Sequence, residues 1–511
     1  MCFLLRVLIA LATLAAAPLA SAEPADIAAA SRGVVRVVLV SKDGESVQYV
    51  GHGSGFAVSP RLVVTNAHVV AEARDADTML IGVVPSEGTS GYLAKVVAYS
   101  PRNDLALLQL IDKGAIPALA LFPGAVEDGA EVYAVGYPGN VDLAQGLSLA
   151  EIVEPQSAVK TRGYVSAGRS SRQFETLLHT APVGSGNSGG PLLDSCGRVI
   201  GVNSFGTLSE GADSEFYFAV SLREVAGFLR EAGVRPRIAA MPCRSMAELD
   251  RAEDQRISSL QAQNDAQTRR QAAASEKARA QAQRRAELDV ITERENGMAL
   301  AALLLVAALV AGGTAFVFEQ RDDRRKALIV GGVGIALLST AIVVWLLRPP
   351  LGSIDERASA SMSGAEPRPV AARSADAAAG AFVCVFDPSR SRATVSEVAD
   401  VPFDWSAGGC VNGRTQYGLA NDGWSRVLAP KDEATVSINR YDPATRTYRV
   451  ERFLLGLDAM TAARAARSAI KAPACGVSEP AARDFGAGLE GIKALLPPQP
   501  NERLVYKCQP R

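Results

Sequence analysis

The sequence predicts a mostly β N-terminal domain, then a helical stalk, a two-helix transmembrane hairpin and a small α/β-type C-terminal domain. Three observations carry this. Residues 27–235 hold short β-branched runs, such as 33–40, 55–58, 62–65 and 199–202, split by Gly, Pro and Asn in the manner of a sandwich or barrel. Residues 243–296 contain neither Pro nor Gly and are dominated by Ala, Glu, Gln and Arg, a composition that favours helix. Residues 297–318 and 327–347 carry no charged side chain, and about 20 such residues suffice to cross ~30 Å of hydrocarbon.

The length of 511 residues predicts several folded units. The 53 Lys and Arg against 54 Asp and Glu exclude a global basic field, so nucleic acid is not an expected partner. Residues 1–22 read as a signal peptide: an apolar stretch at 7–17 behind Arg6, then Ala20 and Ala22 placed for cleavage after Ala22. The loop 319–326 between the two spans holds three Arg and one Lys, which marks it as cytoplasmic. Export of the N-terminus and a two-span hairpin then put the N-terminal β domain and the C-terminal domain on the same, outer side of a bacterial inner membrane.

Within the β domain, Leu222, Val225, Phe228 and Leu229 recur at helical spacing, with Ser221 as N-cap. In the stalk, Met246, Leu249, Ile257 and Leu260 begin a seam that lapses into Ala, Asn and Gln. The expectation is a solvated helix about 80 Å long, with pairing of copies through a coiled coil left open. Residues 348–380, rich in Ala, Ser, Pro and Arg, read as a flexible linker. Residues 381–511 form a separate unit with Trp405, Trp424, a helix near 459–470 and four Cys.

The chain has three His. One, His68, follows an apolar strand in LVVTNAHVV. Asp104 precedes another strand in RNDLALLQL. Ser188 sits in the glycine-rich turn GSGNSGGP. A serine hydroxyl is a weak nucleophile at pH 7, so a base must take its proton; imidazole does so near neutrality, and a carboxylate fixes its tautomer. Glycines around the serine let backbone N–H groups converge on the developing oxyanion. The N–H groups of Gly186 and Ser188 are the donors expected here. His52 and His179 read as structural or cleft-lining.

These residues resemble the chymotrypsin-fold serine proteases, and most nearly the HtrA (Deg) branch. GSGFAVSPRLVVTNAHVV, RNDLALLQL, VYAVGYPG and GNSGGPLLDSCGRVIGVNS follow that branch in order and spacing over residues 30–232. The resemblance implies a two-barrel fold, with His68 as general base, Asp104 as its orienter and Ser188 as nucleophile. It also implies that Pro182 floors the first specificity pocket, favouring a small or medium apolar side chain over Lys or Arg. Ser204 would lie near Asp104, Phe205 would wall the apolar subsites, and the backbone through Gly206 would pair with extended substrate. No cofactor and no metal are expected, since His, Cys and Asp do not cluster at zinc spacing. Stalk and hairpin follow the protease-like region directly, so the family's PDZ-gated cage is not carried over.

Removal of Cys2 with the signal leaves six Cys on the exported side, where disulfides persist. Cys196 with Cys243 is one expected bridge. Cys384, Cys410, Cys475 and Cys508 allow three connectivities, of which Cys384–Cys410 with Cys475–Cys508 is one. The functional expectation is a membrane-tethered serine endopeptidase acting on exported polypeptides. The rival is a protease-fold protein that binds peptides or senses a signal without catalysis, or that becomes active only with a partner.

Overall fold

The computed structural model describes residues 24–43, 46–74, 76, 78–170, 174–207, 215–363, 379–421 and 423–511. The signal-peptide expectation at 1–22 lies outside them, as does part of the linker. The chain divides into two compact units: one holds residues up to Glu253 and from Ser374 onward, the other Asp254–Arg373.

The first unit opens with a helix, Pro24–Ser31, and two β-barrels. Strands β1 (Val34–Asp43), β2 (Ser46–Ser59), β3 (Leu62–Thr65), β4 (Met79–Pro85), β5 (Tyr92–Ser100) and β6 (Leu105–Leu110) close in the order β1-β2-β3-β6-β5-β4. Alternation explains the closure: Val35, Val37, Ala57, Val63, Ile81, Val83, Ala106 and Leu108 point inward and are buried together. The second barrel uses β8 (Glu131–Gly136), β9 (Val159–Ser170), β10 (Glu175–His179), β11 (Pro191–Asp194), β12 (Val199–Gly206) and β13 (Tyr217–Ser221). It closes through the β11–β12 pairing, while short β7 (Ala120–Leu121) and β14 (Arg237–Ile238) extend it beside β12. A cluster containing Phe56, Val64, Leu105, Leu107, Val135, Tyr137, Val202 and Val220 packs the barrels together. The helix Leu222–Glu231 lays Val225, Phe228 and Leu229 on that core. Ser221 is its N-cap residue, but its side chain makes no capping bond.

Residues 381–511, expected as a small α/β-type unit, hold a sheet and two helices, and the sheet is antiparallel. These residues form one nine-stranded sheet whose registered pairs are all antiparallel. Its strands are β15 (Gly380–Phe386), β16 (Val401–Trp405), β17 (Cys410–Val411), β18 (Thr415–Gln416), β19 (Gly418–Ala420), β20 (Gly423–Leu428), β21 (Thr435–Asp442), β22 (Thr447–Leu454) and β23 (Glu502–Pro510). The two helices Leu457–Ala469 and Glu479–Lys493 lie between β22 and β23, which are antiparallel neighbours. A parallel crossover is therefore not what these helices make. The sheet curls around aromatics: Trp405 meets Trp424 at 5.5 Å and Tyr441 at 4.7 Å, and Phe403 meets Tyr448 at 4.9 Å. Trp405 and Tyr417 are buried in this core.

The disulfides are Cys196–Cys243, Cys384–Cys508 and Cys410–Cys475. The pairing named above for the last four Cys is not the one formed. Cys384 and Cys508 face each other in the β15–β23 register, and Cys410 reaches instead to the segment before the second helix.

The segments expected as stalk and first span form one continuous helix, Met246–Gln320; a turn leads into a second helix, Arg324–Leu346. Both are long and apolar enough to cross a membrane by length and composition. Many of their apolar side chains lie on the outside, Leu303, Leu309 and Leu328 being 70%, 72% and 77% exposed. The region assigned to a flexible linker holds a helix, Ile354–Ser363. Asp355 and Glu356 in its first turn favour it electrostatically, and Arg357 bonds Glu293 at 3.1 Å.

Candidate active site

His68 begins a short 3-10 turn that Asn66 and Ala67 link to β3, and Asp104 sits in the turn that enters β6. Strand pairing Thr65↔Ala106 brings these two strand ends together. Asp104 adopts φ +53°, a left-handed conformation that non-glycine residues rarely occupy. In that conformation its carbonyl accepts from Asn66 Nδ2 at 2.8 Å, and its Oδ1 accepts from the His68 backbone N–H at 3.0 Å. The His68 Nδ1 lies 2.9 Å from Asp104 Oδ2. Asp104 carries the proton acceptor, so Nδ1 is the protonated nitrogen and Nε2 is left without a proton.

Burial by itself would raise the Asp104 carboxyl. Hydrogen bonds from His68 and Ser204 outweigh it and hold the group below the usual carboxylate value. Ser204 Oγ donates to Asp104 Oδ2 at 2.6 Å. The β12–β13 register shifts between Asn203 and Phe205, so Ser204 stands at a bulge. From there its hydroxyl serves Asp104 while its carbonyl accepts from Ser188 Oγ at 3.0 Å. Ser188 therefore bonds the neighbouring strand in this state, and not His68.

The turn holding Ser188 is anchored on every side. Ser54 N–H donates to Ser188 O at 2.8 Å, Ser54 Oγ donates to Gly186 O at 2.7 Å, and Gly139 N–H donates to Ser185 O at 2.8 Å. Gly189 N–H donates to Asn203 O at 2.8 Å. Gly189 has φ +88°, and a side chain there would meet Ser54 O at 2.2 Å and Thr65 Oγ1 at 2.3 Å, so only glycine fits. Gly186 has φ +99°. Phe205 is 45% exposed and stacks on Phe218 at 4.8 Å, with Gly206 exposed beside it. Pro182 is exposed, and its carbonyl accepts from Thr161 Oγ1 at 2.6 Å. His179 is fully buried beneath this region.

Residues 53–202 match the trypsin-like peptidase domain. The chain is 33% identical over 234 residues to the serine protease Rv3671c of Mycobacterium tuberculosis, covering 44% of this chain and 54% of that protein. It is 36% identical over 160 residues to a probable periplasmic serine endoprotease DegP-like of Pseudomonas fluorescens (30% and 29%), and 36% identical over 157 residues to mitochondrial serine protease HTRA2 of Bos taurus (30% and 31%). The N-terminal domain is an HtrA-like, chymotrypsin-fold peptidase domain. The chain spans about half of the first of these relatives and about a third of the others.

Sequence reasoning missed the residues that brace this site in the peptidase domain: Ser54 and Gly139, which bond the Ser188 turn, Thr65 and Tyr137, which bond Ser54, and Asn66, which bonds Asp104. Ser54, Thr65 and Asn66 are fully buried polar side chains. Each falls inside a phrase already singled out, so the usable signal was a polar residue embedded in an otherwise apolar motif.

Proposed function

We propose that the chain is a membrane-tethered serine endopeptidase in which Ser188 is the nucleophile, His68 the general base and Asp104 its orienter. The observation that carries the reading is the His68–Asp104 bond at 2.9 Å beside a serine turn whose Ser185, Gly186 and Ser188 carbonyls are held. Ser188 Oγ attacks the substrate carbonyl and His68 Nε2 takes its proton. The N–H groups of Gly186 and Ser188 receive the oxyanion. His68 then protonates the leaving amine, and water, with His68 again as base, hydrolyses the acyl-enzyme. Extended polypeptide pairs with the backbone at Ser204–Gly206, Phe205 walls an apolar subsite, and the segment at Pro182 lines a first pocket without an acidic group.

Two long apolar helices with exposed apolar faces support a hairpin in a membrane. The peptidase and C-terminal domains share one compact unit. Domains that pack together lie on one side, which requires an even number of crossings between them. With the basic loop 319–326 in the cytoplasm, both face the periplasm of a bacterial inner membrane, where exported polypeptides are the substrates.

A second reading is favoured by one observation, the Ser188 Oγ bond to Ser204 O. It describes a resting enzyme whose hydroxyl turns to His68 only when substrate or a partner is present. The deciding experiment is fluorophosphonate labelling of the full-length protein in membranes and in detergent, with Ser188→Ala and His68→Ala alongside. Labelling that disappears in both variants is the expected result. Labelling that appears only with added polypeptide supports the resting enzyme. Folded protein that never labels ends the endopeptidase reading.

A further inference from the structure

His52 lies on β2, two residues before Ser54, and its side chain is 7% exposed. Its Nδ1 is 2.5 Å from the Tyr49 hydroxyl and its Nε2 is 2.8 Å from the Tyr137 carbonyl oxygen. A carbonyl only accepts, so Nε2 carries the hydrogen; in the neutral ring Nδ1 is then bare, and the Tyr49 hydroxyl donates to it. One tautomer satisfies both partners. Burial pulls His52 below the usual histidine value. The Tyr137 carbonyl opposes that, Arg36 reinforces it and Asp142 opposes it, so the neutral ring is the form present at neutral pH. The charged groups around the ring are Asp142, whose Oδ2 is 3.6 Å from Nε2, and Arg36, which bonds the other Asp142 oxygen at 2.8 Å.

The other side of this arrangement is the serine turn. A side-chain carbon at Gly186 would stand 2.4 Å from Tyr137 O, 2.7 Å from His52 Nε2 and 3.1 Å from Gly139 N. The imidazole and the carbonyl it holds thus form a wall against the Gly186 backbone. Tyr137 leads in two residues to Gly139, whose N–H bonds Ser185 O at 2.8 Å. Ser185 O and Gly186 N–H belong to one planar trans peptide, so fixing the carbonyl aims the N–H the opposite way. The path from His52 to the Gly186 N–H is therefore short and made of named contacts.

We propose that His52 is a positioning residue that aims the Gly186 N–H at the oxyanion, an inference that rests on Ser188 being the nucleophile. His52 touches no reacting atom; it holds the Tyr137–Gly139 segment against which the turn is set.

The test uses the full-length protein in detergent, a chromogenic peptide, a peptide aldehyde inhibitor and the fluorophosphonate probe, with thermal unfolding recorded for each variant. Leu at position 52 removes the donor to Tyr137 O. Gln keeps an N–H near the place of Nε2. Tyr49→Phe, a change at a half-buried site, only releases the tautomer. His52→Leu is expected to lower kcat about 10- to 100-fold, less than the 10²–10³-fold that follows loss of an oxyanion donor itself. KM should stay within about twofold, and aldehyde binding should weaken in step with kcat. His52→Gln should recover most of the loss, and Tyr49→Phe should lose several-fold with an unchanged melting point. If His52→Leu does not fold, the Gln and Tyr49→Phe variants decide the matter on the same readouts. Wild-type kcat in His52→Leu or Tyr49→Phe, or a loss carried by KM alone, overturns the role while labelled wild-type protein keeps the nucleophile assignment. Unlabelled wild-type protein overturns both.

Discussion

Arg392 of the C-terminal domain and Asp26 of the N-terminal helix form an ion pair in which each side chain is only 2% exposed. Arg392 also donates to Arg244 O at 2.6 Å and to Asn501 O, and its guanidinium lies 3.4 Å from Cys196 Sγ. Asn501 Nδ2 donates to the second Asp26 oxygen at 2.9 Å. The loop carrying Arg392 is itself fixed by Glu502, fully buried, whose Oε1 accepts from the N–H groups of Val395 at 2.6 Å and Ser396 at 2.9 Å. The turn at Cys196 is the far end of the β11–β12 hairpin, whose open ends carry Ser188 and Ser204.

Replacing Arg392 by Met should destabilise the protein by about 3–5 kcal/mol, because it takes the Arg392 charge away from the buried Asp26 carboxylate. Denaturant unfolding measures this. Adding Asp26→Asn should restore part of the loss, since a neutral amide in that place needs no counter-ion. Equal stability of wild type and the single variant would show that the pair is not buried in solution.

Ser204→Ala should affect the acid side of catalysis. Burial raises the Asp104 carboxyl and the bonds from His68 and Ser204 lower it further than burial raises it. A carboxylate held below its ordinary value contributes stability above about pH 4, and that contribution is lost as pH falls through its folded value. Removing the 2.6 Å bond from Ser204 therefore raises the pH at which Asp104 protonates and weakens the hold on His68. The expected result is a loss of about tenfold in kcat, the lower end of the 1.5–3 kcal/mol that a hydrogen bond to a charged group contributes. A pH–rate profile down to pH 4 checks it. An unchanged profile would mean that Asp104 does not need Ser204.

What the sequence made legible and what it hid separate by distance along the chain. His68, Asp104 and Ser188 each sit in a contiguous phrase whose residue types match a chemical demand, and pairing of neighbouring strands brings the first two together. The bulge at Ser204 is a backbone event with no residue signature, so the rest position of the Ser188 hydroxyl could not be read. His52 reads from the sequence only as structural or cleft-lining, because its partner Tyr137 is 85 residues away and acts through a carbonyl, which every residue has. Strand direction in the C-terminal domain is not legible, because its short strands and two successive helices give no local sign of whether strands run parallel. Its Cys384–Cys508 bridge follows from register between the first and last strands of that domain, 124 residues apart. Arg392 and Asp26, 366 residues apart, could not be matched by any pattern.

His179 should make the protein acid-sensitive above the range where carboxylates titrate. Its ring is fully buried, and burial pulls it from 6.5 down to about 4 against smaller opposing contributions from Ala181 and Asn203. The unfolded chain therefore binds a proton between pH 6.5 and about 4 that the folded chain refuses, so stability is full above pH 6.5 and falls with pH through this window. At 1.36 kcal/mol per pH unit the total is about 3 kcal/mol. Melting points of wild type and His179→Leu at pH 7 and pH 4.5 test it. The variant should lose less stability on acidification than wild type, and equal losses would assign the acid sensitivity elsewhere.

The membrane topology can be tested at the loop itself. Arg321, Arg324 and Arg325 lie in or beside the turn between the two long helices, and Lys326 pairs with Asp323 at 2.8 Å on the helix start. Two domains tied by Arg392 and Asp26 cannot occupy opposite sides of a bilayer, so the hairpin either crosses twice or does not cross. A double crossing with the basic turn in the cytoplasm predicts that Arg321→Cys reacts with a membrane-impermeant maleimide only after the inner membrane is opened. A cysteine at exposed Leu143 of the peptidase domain, 82% accessible, should react in cells whose outer membrane alone is permeable. Reaction of both positions under that milder condition would place the turn outside and leave the helices without a crossing. Reaction of neither would put the peptidase domain in the cytoplasm and contradict the exported reading at its root.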